Sequence, residues 1–448
     1  MAHEIKVRFP PSPTGEWHFG NVRTFVFNYL FAKKNQGKIV LRFEDTDSAR
    51  NKPGADLSQI EILKTLGLDF DEGPYYQSQR KEIYKKELQR LLAEGKVYEA
   101  EENQAGTGKI IRIKNPERDV VWIDLIKGKT KISSASFKDE KGNSDFIIAR
   151  SIDDPLYHFT VVVDDFLIGI THVLRGEDHV TSTPRQIIIL EALGSEIPLY
   201  GHFPTILGEN KKKLGKRNGA VPVREYLEQG FLPEALLNAI SLLGWNPGDE
   251  QEIFTKAELI EKFSLEKVQH HPAVFYGDKL DFINKEHLRK LPLEEVFAEI
   301  LKRLPEKMQS NKLVEKILPL IFERISKWGD INTLLSNKEF DFFFEDPVYQ
   351  KELLICDERM RKGVALDHEK IVEHLKEISK LLSGVSDFNY EKIKESVWEY
   401  ASKEGRGIVL WAFRVSLSGK EKSPDPFLIS EILGKEETLK RIDDATKL

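Results

Sequence analysis

Apolar residues recur along this chain with two different periods, and the changes between them mark its regions. Ile5 to Phe9 is a short strand-forming run, Asn21 to Lys34 places Val22, Phe25, Val26, Tyr29 and Leu30 on one helical face, and Lys38 to Phe43 is a second strand. A strand, a helix and a strand in that order predict a parallel pair joined by a crossover helix. Helices are expected next over Pro53 to Leu66 and Arg80 to Glu94, the second closed by Gly95. From Val97 to Arg150 the pattern shortens to β-rich pieces such as Lys109 to Ile113 and Val120 to Asp124, separated by Gly, Asn and Lys turns, which is the texture of a small inserted domain. The apolar stretches Phe159 to Val163 and Gly169 to Arg175 read as buried strands and Pro184 to Leu193 as a helix, so the parallel sheet is expected to resume there. Beyond about Tyr226 nearly every segment has helical spacing, as in His368 to Leu382 with Ile371, Leu375, Ile378 and Leu382 on one face. The expected class is α/β, a parallel-sheet domain interrupted by a small α+β insert and followed by helical domains.

Length and composition narrow the chemistry. At roughly 100 to 200 residues per domain, 448 residues imply two to four domains, and 40% hydrophobic with 31% charged excludes disordered and collagen-like classes. No apolar run approaches the roughly 18 residues of a membrane span, and the opening MAHEIKVRFP has no apolar leader, so a cytoplasmic location is expected. Cys356 is the sole cysteine; a zinc site built on cysteines and thiol redox chemistry are not expected, and no metal-ligand set is assigned. A net charge of -6 carries no sign of a nucleic-acid binder.

Two stretches carry candidate chemistry. Pro11-Ser12-Pro13-Thr14-Gly15-Glu16-Trp17-His18-Phe19-Gly20-Asn21 lies between the first strand and the first helix, the binding crevice of a parallel sheet. Its glycines let the backbone turn or approach a ligand, and the free N–H groups opening the helix favour an anion such as a nucleotide phosphate. Alone, the stretch is equally a Pro and Gly turn with a surface histidine. Lys211 to Arg217 holds five cations in seven positions around Gly215. Such a loop can clamp a polyphosphate as charge builds on a leaving group, or it is a solvated face.

In combination and order, these stretches resemble the two ATP-binding motifs of class I aminoacyl-tRNA synthetases. His18-Phe19-Gly20-Asn21 is similar to the HIGH motif and Lys213-Leu214-Gly215-Lys216-Arg217 to the KMSKS motif. Arg8 to Asp47, Tyr157 to Gln186, Gly219 to Trp245 and Leu410 to Ile442 more closely resemble glutamyl-tRNA synthetases, so the likeness covers nearly the whole chain. It implies a Rossmann-like catalytic domain in two halves, 1–97 and 151–205, an acceptor-end-binding insert over 98–150, a KMSKS loop and helical stem-contact domain over 206–299, and a helical anticodon-binding domain over 300–448. His18, Gly20, Asn21, Lys213, Lys216, Arg217 and Asp178 are the implied ATP-binding residues, His18, Lys213 and Lys216 the catalytic ones. Arg8, Ser12, Glu44, Tyr157 and Arg175 are the implied glutamate-binding residues. Physical logic agrees for two of them: an Arg fork suits the substrate's side-chain carboxylate, and Glu44 can hold its α-ammonium. Glu177 is an alternative to Asp178 at the nucleotide.

The resemblance further implies ligation of L-glutamate to tRNA(Glu) through a glutamyl-adenylate, with ATP and Mg2+, tRNA required for activation, no zinc, no membrane and a monomeric state. Charging of tRNA(Gln) as well is left open. The attacking carboxylate is already an anion, so no general base is needed. Trp398, Trp411 and Phe413 can stack on anticodon bases, although their spacing suits a helix core. Three departures stand out: Asn21 at the end of the first motif, Gly215 in place of the usual serine in the second, and a short segment after Tyr98. The first two raise a catalytically inactive tRNA-binding paralogue, which His18, Lys213, Lys216 and Arg8 oppose. The Ser12-Pro13-Thr14 text and the helical C-terminal half oppose a glutaminyl enzyme, and the length after residue 300 opposes a short glutamyl-queuosine paralogue. Residues 151–200 set eight acids against Arg175 and Arg185, which equals the whole acidic excess; positive potential is therefore expected over the insert and the 211–217 loop.

Overall fold

The computed structural model describes residues 4–47, 49–101, 109–138, 142–215, 221–356 and 367–448. Its first half runs β1 (Lys6–Phe9), α1 (Phe19–Lys34), β2 (Lys38–Phe43), α2 (Ala55–Thr65), β3 (Glu72–Tyr76), α3 (Lys81–Ala93), β4 (Val97–Glu101), β5 (Lys109–Ile113), β6 (Asp119–Asp124), β7 (Gly128–Ser133), β8 (Phe146–Ser151), β9 (Asp154–Pro155), α4 (Tyr157–Ile168), β10 (His172–Gly176), α5 (Thr183–Leu193) and β11 (Leu199–Phe203). Among the described residues, seven strands form one sheet in the order β3-β2-β1-β10-β11-β6-β7, parallel except for the last pair. The chain winds outward from β1 to β3 on one side and from β10 to β11 on the other. Strand order therefore reverses between β1 and β10, and the crevice beyond their carboxyl ends is the binding position of a doubly wound sheet.

Side-chain alternation assigns each face its helices. Val7, Phe9, Ile39, Leu41 and Leu174 join α1 and the helix Pro233–Ser241 in one core, whereas Val40 and Val173 join α3, α4 and α5 in a second. Because α1 is covered by the sheet on one side and by helices on another, it is buried well beyond the predicted stripe, with Arg23, Phe27 and Asn28 also enclosed.

Two expectations need correction. Phe159 to Val163 is not a strand but the middle of α4, buried from Phe159 through Asp165. A helix enclosed on all sides and a buried strand look alike over five apolar residues; Gly169, at φ 79°, closes the helix, and the strand begins only at His172. Nor is the 98–150 segment wholly a separate insert. β4, β5, β8 and β9 form their own antiparallel sheet, but the β6–β7 hairpin extends the main sheet, with Asp124 opposite Tyr200 of β11. Val120 and Trp122 are buried and Val121 and Ile123 exposed, an alternation that marks a half-buried strand without saying which sheet takes it.

The chain divides into compact units Met1–His287 and Leu288–Leu448. The division falls before residue 300 because Leu291 and Val296 pack into the C-terminal core. That core is helical, and His368–Ser383 buries Ile371, Leu375, Ile378 and Leu382 as the spacing requires. Phe413 is fully buried, Trp411 donates its indole N–H to the carbonyl of Leu353 at 2.9 Å, and Trp398 packs against Phe427, which are core roles for all three. No helix among the described residues is long and apolar enough to cross a membrane.

Candidate active site

Arg8, Ser12, His18, Gly20, Asn21, Glu44, Tyr157, Arg175, Asp178 and Lys213, separated by up to 205 positions in the chain, line a single cleft of about 890 Å³ at the carboxyl ends of β1, β2 and β10. Lys216 and Arg217 lie outside the described residues.

The cleft floor is an arginine and carboxylate lattice dictated by register. Arg8 pairs with Val40, so Arg8, Val40 and Arg42 share one face of the sheet, the face that α4 covers. Two cations in a core need anions, and α4 supplies Asp164 and Asp165 inside its apolar run. Arg8 Nε donates to Asp165 Oδ2 at 3.2 Å and Arg42 Nη1 to Asp165 Oδ1 at 2.7 Å. Burial opposes ionisation of Asp165, but Arg8 and Arg42 outweigh it and hold the carboxyl below its ordinary range. Asp164 accepts from Arg80 Nε at 2.6 Å, the Tyr84 hydroxyl at 2.8 Å and Gln77 Nε2 at 3.0 Å.

Among the described residues, several buried polar atoms here lack hydrogen-bond partners within the protein, and two of them belong to Arg8 and Glu44, which line the cleft. Arg8 is 1% exposed, yet its Nη1 donates to no protein acceptor. Glu44 follows β2 with its side chain 11% exposed; its Oε1 accepts no hydrogen bond and lies 3.7 Å from Arg42 Nη2. Burial drives the Glu44 carboxyl up to about 7 despite the pull of Arg42 and Arg8. A buried polar atom left without a hydrogen bond costs about 1 to 3 kcal/mol, so a cation socket beside an anion socket suits a zwitterionic ligand.

At the opposite wall α1 opens toward the cleft. His18 is its N-cap: its Nδ1 accepts from Gly20 N at 3.1 Å, while Asn21 Oδ1 accepts from His18 N at 3.4 Å, closing a reciprocal capping box. Accepting at Nδ1 places the proton of the neutral ring on Nε2. Asn21, unusual as a motif residue, thus has a structural use at that position. A Cβ on Gly20 would lie 2.9 Å from His18 Cε1, so glycine is needed for the ring to fold over the first turn. A Cβ at Gly215, the other departure, would meet no atom of the described residues within 4 Å. Ser12 is exposed on the preceding loop, which Gln59 Nε2 ties down at the carbonyls of Gly15 (2.7 Å) and Ser12 (3.4 Å).

Arg175, at the end of β10, is held on several sides: Nε by His202, Nη1 by Gln186 Oε1 at 2.7 Å, and Nη2 by Thr183 Oγ1 at 2.8 Å and the His179 carbonyl at 3.3 Å. Tyr157 opens α4 and lies near the ring of His179. Burial, reinforced by Arg175, brings His179 down to about 4, so the imidazole is neutral at pH 7. Glu177 also lines the cleft, but its carboxylate is committed to the protein, accepting from Thr205 N and Oγ1 at 2.7 Å and from Lys127 Nζ at 2.7 Å. Asp178 instead meets Lys213 Nζ at 3.3 Å, with both side chains more than half exposed. An exposed pair of this kind is worth about 0 to 1 kcal/mol, so Lys213 can exchange it for a phosphate at little cost.

Sequence reasoning did not single out Asp164, Asp165, Gln186 or His202. The Asp pair was legible in principle, as two acids within the apolar run Val161-Val162-Val163-Asp164-Asp165-Phe166. The other two depend on strand neighbours and carried no local signal.

Comparison with known proteins agrees with this geometry. Residues 4–105 and 99–282 match the family model described as tRNA synthetases class I (E and Q), catalytic domain, and residues 289–446 match an anticodon binding domain. The glutamate–tRNA ligase of Bacillus licheniformis is 35% identical, with 99% of each chain covered, and that of Thermodesulfovibrio yellowstonii is 37% identical, with 98% of each covered. Among solved structures, a glutamate tRNA ligase from Elizabethkingia meningosepticum in complex with its amino acid is 30% identical and superposes with a TM-score of 0.81 over 99% of both chains. On the cleft, the two units and this full-length similarity, the chain belongs to the class I tRNA synthetases of the glutamate and glutamine (E and Q) family.

Proposed function

We infer that this protein joins L-glutamate to tRNA(Glu) through a glutamyl-adenylate, consuming ATP and releasing AMP and pyrophosphate for protein synthesis. The observation that carries the reading is the pair of sockets at Arg8 and Glu44: a buried guanidinium with Nη1 uncommitted to any protein acceptor and a largely enclosed carboxyl whose Oε1 accepts no hydrogen bond and stands 3.7 Å from Arg42 Nη2, complementary to an amino acid with an acidic side chain. Arg8 takes the side-chain carboxylate and Glu44 the α-ammonium, with Ser12, Tyr157 and Arg175 completing the glutamate site. Rejecting glutamine is then a polar discrimination, for which a site of this kind supplies factors of roughly 10⁴ to 10⁵. His18, Gly20 and Asn21 at the start of α1, with Asp178, Lys213, Lys216 and Arg217, are the proposed ATP ligands; magnesium enters with ATP as part of that substrate.

The substrate α-carboxylate attacks the α-phosphorus of ATP, the bond to the β,γ-phosphates breaks, and pyrophosphate departs with its charge met by His18, Lys213 and Lys216. A terminal hydroxyl of tRNA then attacks the mixed anhydride, and AMP leaves. The first nucleophile is an anion, so the neutral His179 is no obstacle, and catalysis rests on alignment and charge stabilisation. We further take the protein to work in the cytoplasm as a monomer, which sedimentation tests. Pyrophosphate exchange into ATP is expected when glutamate and cognate tRNA are both supplied. Bound tRNA without exchange overturns the reading, and charging assayed with tRNA(Glu) and tRNA(Gln) in parallel defines the tRNA range.

A further inference from the structure

Arg175 and His202 are paired residues on the parallel neighbours β10 and β11, so their side chains leave the same face of the sheet. Arg175 Nε donates to His202 Nε2 at 3.2 Å. On the far side of the ring, His202 Nδ1 lies 2.5 Å from Asp124 Oδ2 at the end of β6. His202 and Asp124 are both buried. An ionised carboxylate only accepts, so the ring proton sits on Nδ1 and Nε2 presents a lone pair to the guanidinium. Burial lowers the His202 pKa, partly opposed by its bond to Asp124. Burial also resists ionisation of Asp124, but the His202 bond and the backbone N–H of Lys127 outweigh it and hold the carboxyl at about 2. A neutral ring beside a charged carboxylate is the state at pH 7.

We propose that Asp124 and His202 are positioning residues which, by fixing the imidazole tautomer, hold the Arg175 guanidinium in its substrate-binding orientation and so set the affinity for glutamate. The proposal rests on the assignment of Arg175 to the glutamate site. With Nε, Nη2 and one N–H of Nη1 engaged by protein, a single Nη1 N–H is left for a ligand, and its direction is set by the plane of the whole group. Without the Nε2 lone pair, a buried Nε–H has no acceptor, and the guanidinium gains by turning away. The hairpin carrying Asp124 thereby acts on the amino-acid site from outside it.

Full-length Asp124→Asn, His202→Asn, His202→Gln and Arg175→Lys proteins, assayed for aminoacylation with tRNA, test this. Asp124 Oδ1 accepts from the backbone N–H groups of Ile126 (3.1 Å), Lys127 (3.0 Å) and His202 (3.2 Å), which keeps an oxygen at that position in the asparagine variant. Its NH2 then faces His202, where among the described residues Trp122 Nε1 at 3.5 Å also approaches, and moves the ring proton to Nε2, where Thr183 Oγ1 at 3.1 Å can accept it and no lone pair is left for Arg175. Asp124→Asn and His202→Asn are expected to raise the KM for glutamate about tenfold, with the KM for ATP changed by less than about twofold. His202→Gln, whose amide oxygen reaches Arg175, recovers part of the loss. An unchanged glutamate KM in both variants, with Arg175→Lys still raising it, overturns the relay and spares the glutamate-site reading. An unchanged KM in Arg175→Lys removes Arg175 from that site and the proposal with it. Equal increases in both KM values, accompanied by a lower Tm, reduce the pair to packing and overturn the proposal.

Discussion

Arg8 and Arg42 emerge from adjacent strands onto one buried face, and the Asp165 carboxylate binds both. Removing one partner of such a lattice leaves unpaired buried charge, so Asp165→Ala is expected to cost about 3 to 5 kcal/mol, read from urea unfolding of the purified protein. A loss below about 1 kcal/mol would show that water reaches these arginines. Glu44 yields a pH prediction whose sign follows from its charge. Burial raises its carboxyl to about 7, and only the ionised form attracts the substrate ammonium. Glutamate affinity is therefore retained above that value and lost below it, and the KM for glutamate should rise about tenfold per pH unit below 7 at saturating ATP, since glutamate's own groups do not titrate there. Glu44→Gln should flatten the profile; a wild-type profile flat from pH 6 to 8 would sink the assignment.

The N-terminus of α1 shows how a sequence motif becomes one wall of the cleft. His18 caps the helix with its own ring, Asn21 returns the hydrogen bond, and Gly20 leaves room for the fold-over. Gly20→Ala puts a methyl 2.9 Å from the His18 ring and must displace it. Turnover is expected to fall about 10² to 10³ while the far-UV circular dichroism and Tm stay close to wild type; unchanged turnover would remove the ring from the phosphate path. Periodicity located α1 correctly, yet misassigned α4, because a helix buried on all sides has no polar stripe to betray its period. The two acids that break the α4 apolar run answer arginines on other strands, a need invisible from within the segment.

The acidic excess of residues 151–200 is met by cations from elsewhere in the chain, which leaves the net charge at -6. Within 151–200, Asp164 and Asp165 are buried against arginines, while Asp153, Asp154, Glu177, Asp178 and Glu191 each meet a Lys or Arg. The local acidic excess is thus largely consumed internally, Lys213 pairing with Asp178 while the neighbouring Lys211 and Lys212 are exposed. The unit Leu288–Leu448 has a core of its own, built by helices such as His368–Ser383 and Arg406–Ser418. Residues 288–448 produced alone are expected to fold, with a helical far-UV spectrum and a cooperative thermal transition; a gradual, featureless melt would mean that this core depends on the rest of the chain.

Local pattern was enough for the parallel-sheet class and the helical C-terminal half, whereas the two candidate phosphate motifs and the cleft residues Arg8, Glu44, Tyr157 and Arg175 were legible only through the resemblance to glutamyl-tRNA synthetases. Strand order and register decided the rest: the hairpin that joins β11, the face shared by Arg8 and Arg42, and the alignment of Asp124, His202 and Arg175. Those relations couple positions tens of residues apart, and they arise only when burial of both sheet faces selects one winding of the chain.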